Sequence, residues 1–171
     1  AWKGGHKTEG LGWIFECVDS GQYAGVSIGY RLSSETTWPS QIHDCKAAIR
    51  WIRANAKRYG LDSDRIGVWG NSAGGHLVSM LGTSDDVKLM DGTIGPHTNV
   101  SSRVTCVVDF YGPTNFLTMN KSAIKNATLD HDIVDSPESR LIGGPIQENP
   151  EKVATANPIT NRTDAVEHQM R

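Results

Sequence analysis

The sequence lacks most of the features that would assign it quickly to a functional class. It has no strong charge of either sign: 17 Lys and Arg stand against 19 Asp and Glu, a formal net charge of −2. No basic surface therefore points to nucleic acid or an anionic membrane. No apolar run approaches the ~18 residues needed to cross a bilayer as a helix. The three cysteines, Cys17, Cys45 and Cys106, are odd in number and widely spaced. They form neither a disulfide framework nor a C-x-x-C metal pair, so three buried free thiols are expected. H-E-x-x-H and G-x-x-x-x-G-K are both missing, which disfavours a metal enzyme and a phosphate loop; no cofactor and no metal are expected. There is no internal repeat, no low-complexity tract and no interdomain linker. Neither a starting Met nor an n-region and h-region opens the chain, so any targeting segment is expected to be absent or lost. The sequon Asn99-Val100-Ser101 is too common a triplet to fix a compartment.

The sequence does carry ordinary globular material: 171 residues, 37% apolar, with 18 glycines. That length suits one domain, residues 1–171, with a buried core. Residues 1–12 read as a Gly-rich loop, and 13–18 as the start of a helix. Tyr23–Tyr30, with its small and β-branched residues, reads as a buried strand. In 41–59, Ile42, Cys45, Ile49, Ile52, Ala56 and Tyr59 recur every three or four residues, the signature of a helix. Ser40 is its expected N-cap and Gly60 its terminator. Arg65–Trp69 and Val104–Phe110 read as strands, with a helix from about Ala73 between them. Strands alternating with helices imply an α/β fold with a mainly parallel sheet. From Asn115 onward, Pro137, Pro145, Pro150 and Pro158 break the chain into short helices and loops.

Gly70-Asn71-Ser72-Ala73-Gly74 fits G-x-S-x-G. In a chain this rich in glycine the pentapeptide turns up by chance roughly one time in ten, so its meaning rests on a strand before it and a helix after it. Both are expected here. A tight strand-to-helix turn strains the serine backbone and holds Oγ clear of the sheet. Small residues at Gly70 and Gly74 would let neighbouring backbone pass. The helix N-terminus would favour an oxyanion, with the N–H of Ala73 as first donor. The competing interpretation is an N-cap serine in a Gly-rich turn.

Four segments resemble bacterial α/β-hydrolase-fold esterases of the lipase, acetyl-xylan-esterase and feruloyl-esterase-like group. They are AWKGGHK, YRLSSETTWPSQIHDCKAAIRWIRANAKRYGLDSDRIGVWGNSAGGHL, SSRVTCVVDFYGPTNF and ESRLIGGPIQENPEKVATANPIT, together running from Ala1 to about Thr160. The resemblance implies a Ser–His–Asp triad acting through an acyl-enzyme, with Ser72 as nucleophile and Ala73 N–H in the oxyanion hole. It implies short acyl esters as substrates, acetyl or feruloyl groups on polysaccharide included. A prolyl-oligopeptidase-type peptidase is the nearest rival. The family places His-Gly-Gly just before a segment like Ala1-Trp2, and an acid and then a histidine after a later strand. The resemblance therefore implies a partial α/β-hydrolase core, truncated at both ends. That leaves a catalytically incomplete or binding-only chain as the second alternative, with self-association through open sheet edges.

The remaining candidates carry weaker signals. His76 lies one helical turn after Ser72, starts deep in the packing of the turn and is disfavoured as its base. His43, beside Asp44, reads as solvated. His6 and His97 fall in loops. His131, between Asp130 and Asp132, reads as an exposed loop residue, and His168 with Asp164 as a surface pair. Asp109 ends a strand, and the family places its acid one strand later, so Asp109 reads as structural, bonding a nearby loop. Trp2 and Trp38 lie in loops where a pocket could form, but core packing is the simpler reading. Trp51 would edge the core and Trp69 would be buried against the sheet.

Overall fold

The computed structural model describes residues 2–161. Its first helix, α1 (Leu11–Asp19), buries none of its residues. Trp13 on this helix instead reaches Trp69, with ring centroids 6.2 Å apart. Helix α2 (Ser40–Tyr59) follows the sequence pattern, burying Ile42, Cys45, Ile49 and Ala56. It begins at Ser40 with Pro39 in the cap position, not Ser40 as expected, and ends at Gly60. Gly60 adopts φ 67°, a left-handed conformation that glycine enters without Cβ strain.

Strand β1 (Gly67–Asn71) leads into α3 (Ala73–Thr83), and the chain passes through the short α4 (Lys88–Asp91) to β2 (Cys106–Phe110). The strands pair in parallel, Gly67 against Cys106 through Asn71 against Phe110. Helix α3 packs on both strands. Among the described residues these two strands are the whole sheet. The expected strand at Tyr23–Tyr30 is not formed, because no described backbone pairs with it. Gly25 instead fits against Ile14 of α1, and Ser27 Oγ donates to the Lys7 carbonyl. The exposed side of the sheet also corrects two burial expectations. Trp69 is partly exposed, packing edge-on against Phe110 at 5.8 Å, and Cys106 and Cys17 are exposed. Trp51 is exposed as well, and stacks obliquely on Tyr59.

Helix α2 grips the connection after α3 with buried cations. Lys46 Nζ donates to the Ser84 carbonyl and to Asp91 Oδ1, 2.9 Å away, and Arg50 donates to the carbonyls of Asp91 and Ile94. His43, expected in solvent, bonds the Leu89 carbonyl at 2.8 Å in the same grip. The remainder is short pieces: α5 (Met119–Ser122), α6 (Pro137–Ile142), α7 (Pro150–Ala156) and 3-10 turns at Phe116–Thr118, Ile146–Glu148 and Pro158–Thr160. They close the core over Trp2 and Trp38, both fully buried and so not pocket-lining. The Trp38 N–H donates to the Leu141 carbonyl and its indole N–H to Thr155 Oγ1, while Asn157 Oδ1 accepts from Phe116 N–H.

Candidate active site

Ser72 is the one residue between β1 and α3. Its φ of 51° with ψ of −119° is a region that side-chain-bearing residues avoid. An N-cap serine adopts extended backbone and accepts an N–H from the first turn; Ser72 does neither. Ser72 is exposed, and its side chain caps nothing. The backbone is fixed from both sides: Ser72 N–H donates to the Phe110 carbonyl at 2.9 Å, and the Ser72 carbonyl accepts from His76 N–H at 3.0 Å. Ala73 is buried as the first residue of α3, so its N–H has no intrahelical acceptor.

The turn depends on glycine, but not at the two positions the motif suggests. A Cβ on Gly70 would overlap the Gly74 carbonyl, as expected. A Cβ on Gly74 would meet only Asn71 Oδ1, at 4.0 Å, an ordinary contact. The crowded partner is Gly75, where a Cβ would strike Asp109 Oδ1 and the backbone of Gly112. Gly112 in turn lies against Gly75 and His76 N. The first turn of α3 and the turn after β2 therefore touch backbone to backbone.

Asp109 holds that second turn. Its Oδ1 accepts from Gly112 N–H at 2.8 Å, and its Oδ2 from Ser79 Oγ at 2.9 Å. The structural role expected for it is the one observed. Tyr111, at the crest of the same turn, is the second non-glycine residue here with positive φ, 48°. Its hydroxyl accepts from Asn71 Nδ2 at 3.3 Å.

His76 is fully buried with both ring nitrogens engaged. Nδ1 accepts from the Trp2 indole N–H at 3.2 Å, so the ring proton sits on Nε2 and is donated to the Ala156 carbonyl at 2.7 Å. Trp2, Trp38 and Phe116 surround the ring at centroid distances of 5.1–5.4 Å. Burial pushes its pKa from 6.5 down to about 4, against smaller opposing effects from the Ala156 carbonyl and the Asp109 carboxylate. A neutral ring with no free nitrogen cannot serve Ser72 as a base; it fastens α3 to Trp2 and α7.

His131 is the largest surprise among the histidines. Expected in an exposed loop between two aspartates, it bonds neither of their side chains. It is mostly buried, its Nδ1 3.1 Å from Oε2 of buried Glu138 on α6. Asn120 Oδ1 accepts from its backbone N–H. Glu138 carries no local signal, seven residues away across a proline. His6 bonds Thr8 within its own loop. Asp164 and His168 lie outside the described residues. Among the described residues, no histidine bonds Ser72 Oγ, and no three His, Cys, Asp or Glu side chains converge as metal ligands.

A parallel β–turn–α–β unit with a strained serine at the turn defines a partial α/β-hydrolase fold. The chain belongs to the BD-FAE family, whose profile matches residues 1–165. It is similar to the bifunctional GH43-CE protein of Bacteroides eggerthii, with a TM-score of 0.85 and 36% identity, covering 95% of this chain and 22% of that one. It is also similar to a truncated form of a carbohydrate esterase from gut microbiota, with a TM-score of 0.70 and 36% identity, covering 78% and 48% respectively. Among curated proteins, the probable carboxylic ester hydrolase LipM of Mycobacterium tuberculosis (strain ATCC 25618 / H37Rv) is 32% identical over 152 residues, 88% of this chain and 31% of LipM. The chain spans about a third of the length of the curated relatives it matches.

Proposed function

We propose that this chain carries the nucleophile of a serine carboxylic-ester hydrolase, within a single α/β-hydrolase domain that includes residues 1–171. The observation that carries this is Ser72: strained, exposed, and with its Oγ bonded to none of the described residues at the head of α3. In this reading Ser72 Oγ attacks the ester carbonyl and its proton passes to a base. The carbonyl oxygen gains the negative charge, stabilised by the Ala73 N–H and the positive end of α3. Collapse expels the alcohol and leaves an acyl-Ser72 ester, which water hydrolyses. His76 is not that base. The resemblance of the sequence puts the acid and the histidine of the triad after Thr160.

The substrates proposed are short acyl esters, including acetyl or feruloyl groups on polysaccharide. The names of the carbohydrate-esterase neighbours support that direction. A peptidase reading draws no support from relatives named as ester hydrolases. The alternative of a catalytically incomplete chain is separated by one experiment. Reaction with a p-nitrophenyl phosphonate is expected to add one phosphonyl group at Ser72, and turnover of p-nitrophenyl acetate is expected to vanish in Ser72→Ala. Folded protein that takes up no label, with hydrolysis unchanged in Ser72→Ala, would refute the proposal. The exposed side of the sheet and its open edges support self-association, which sedimentation velocity measures directly.

A further inference from the structure

Tyr111 is held in a conformation that makes no sense for packing. Its φ of 48° costs a side-chain-bearing residue free energy that glycine or asparagine would avoid. Yet Tyr111 is 76% exposed and buries little in return. The turn around it is fixed from several directions. Asp109 accepts from Gly112 N–H, Ser79 holds Asp109, and Gly112 lies against the backbone of α3. Strain that survives at a tightly fixed position points toward a function for the side chain it displays.

The position of the residue says which function. Asn71 and Phe110 are opposite each other in the parallel register, so Ser72 and Tyr111 are the residues that next follow the two strands. Both stand just past the carboxyl ends of the strands, where open α/β sheets bind their ligands. The Ser72 N–H to Phe110 carbonyl bond locks the two together. Asn71, the neighbour of Ser72, donates to the Tyr111 hydroxyl oxygen. That bond uses an acceptor position and leaves the phenolic proton free to be given to something else.

We propose that Tyr111 contacts the substrate at the Ser72 site, its ring packing against a cyclic alcohol group, aryl or glycosyl, while its hydroxyl donates a hydrogen bond to that group. The proposal rests on the nucleophile reading of Ser72 and names the substrate class of that site: esters of ring-bearing alcohols. A flat aromatic face suits both an aryl ring and the apolar face of a sugar, and the tethered hydroxyl adds a directional donor.

The test follows Ser72 inactivation to saturation with two probes, a p-nitrophenyl phosphonate and an alkyl fluorophosphonate that has no ring on its leaving group. Tyr111→Asn removes the ring but tolerates positive φ. For the aryl probe its half-saturation concentration is expected to rise about tenfold, with the limiting rate little changed. Tyr111→Phe, which keeps the ring, is expected to raise it about fivefold through the lost hydrogen bond. The fluorophosphonate should not distinguish the variants from wild type. Equal half-saturation for the aryl probe in wild type and folded Tyr111→Asn overturns the proposal, as does a rise shared by both probes. If Tyr111→Asn does not fold, an unchanged value in Tyr111→Phe overturns it. Failure of both probes to label wild-type Ser72 is a different result: it refutes the nucleophile reading, and this inference falls with it.

Discussion

Acid should loosen this protein through His76 before it protonates most carboxylates. The neutral ring takes the Trp2 indole proton at Nδ1 and gives its own to Ala156. A protonated ring would set a second N–H against the Trp2 N–H, donor facing donor, in a site walled by aromatic rings. The unfolded chain binds this proton below about 6.5, whereas the folded ring resists it until about 4. Between those values the unfolded state carries the extra proton, so stability falls as pH falls. The contribution is complete above about pH 6.5 and gone by about pH 4. The gap between the two values corresponds to about 3 kcal/mol. Asp109, the carboxylate that favours the charged ring, is already included in the folded value. The assay is urea unfolding of wild type and His76→Phe at steps from pH 7 to pH 4. At pH 7 the variant should be less stable by about 2 kcal/mol, because Trp2 keeps a buried donor with no acceptor. That deficit should shrink on acidification and then reverse, since the variant lacks the titration. Groups other than His76 are common to both proteins and cancel in the difference. Two parallel stability curves would refute the reasoning.

Other outcomes follow from the same contacts. Gly74→Ala should be neutral or stabilise by up to about 0.5 kcal/mol, since the site has room and alanine suits a helix. Gly75→Ala should destabilise by about 2 kcal/mol or more through overlap with Asp109 and Gly112, read as a lower urea midpoint. Native protein should react with two equivalents of a disulfide reagent, at Cys17 and Cys106, and with a third only on unfolding. Cys45 is buried in α2, and burial pushes its thiol up to about 12, leaving almost no thiolate at neutral pH. Three fast equivalents would contradict that placement.

Local signals made α2 and the β1–Ser72–α3 turn legible. The apolar stripe of α2 and its terminal Gly60 are properties of consecutive residues, and so is a serine between a short strand and a helix. What escaped the sequence depends on partners distant along the chain. Tyr23–Tyr30 has strand-like residues, but a strand exists only where another backbone pairs with it. Gly74 and Gly75 are adjacent letters, and only the approach of Gly112 tells which of them must lack a Cβ. The packing expected around the turn already disfavours His76 as a base, but the bonds that occupy its ring cannot be read from spacing, which counts residues and not bonds. Its two acceptor and donor partners come from Trp2 and Ala156, 74 and 80 residues away. Glu138 was invisible as a partner of His131 for the same reason. His131 stands between two aspartates that misdescribe its surroundings.

The Gly75–Gly112 contact limits how this site can change over evolutionary time. Most packed surfaces drift by trading one side chain for a slightly larger or smaller one, each step compensated by a neighbour. Here two backbones meet beside the Asp109 carboxylate, and the smallest available step at either glycine is already a methyl group too large. No series of small adjustments can retune the spacing between the Ser72 turn and the Tyr111 turn. Variation in what the site accepts must therefore arise in the side chains that project from these turns, while the frame beneath them is inherited unchanged or lost altogether.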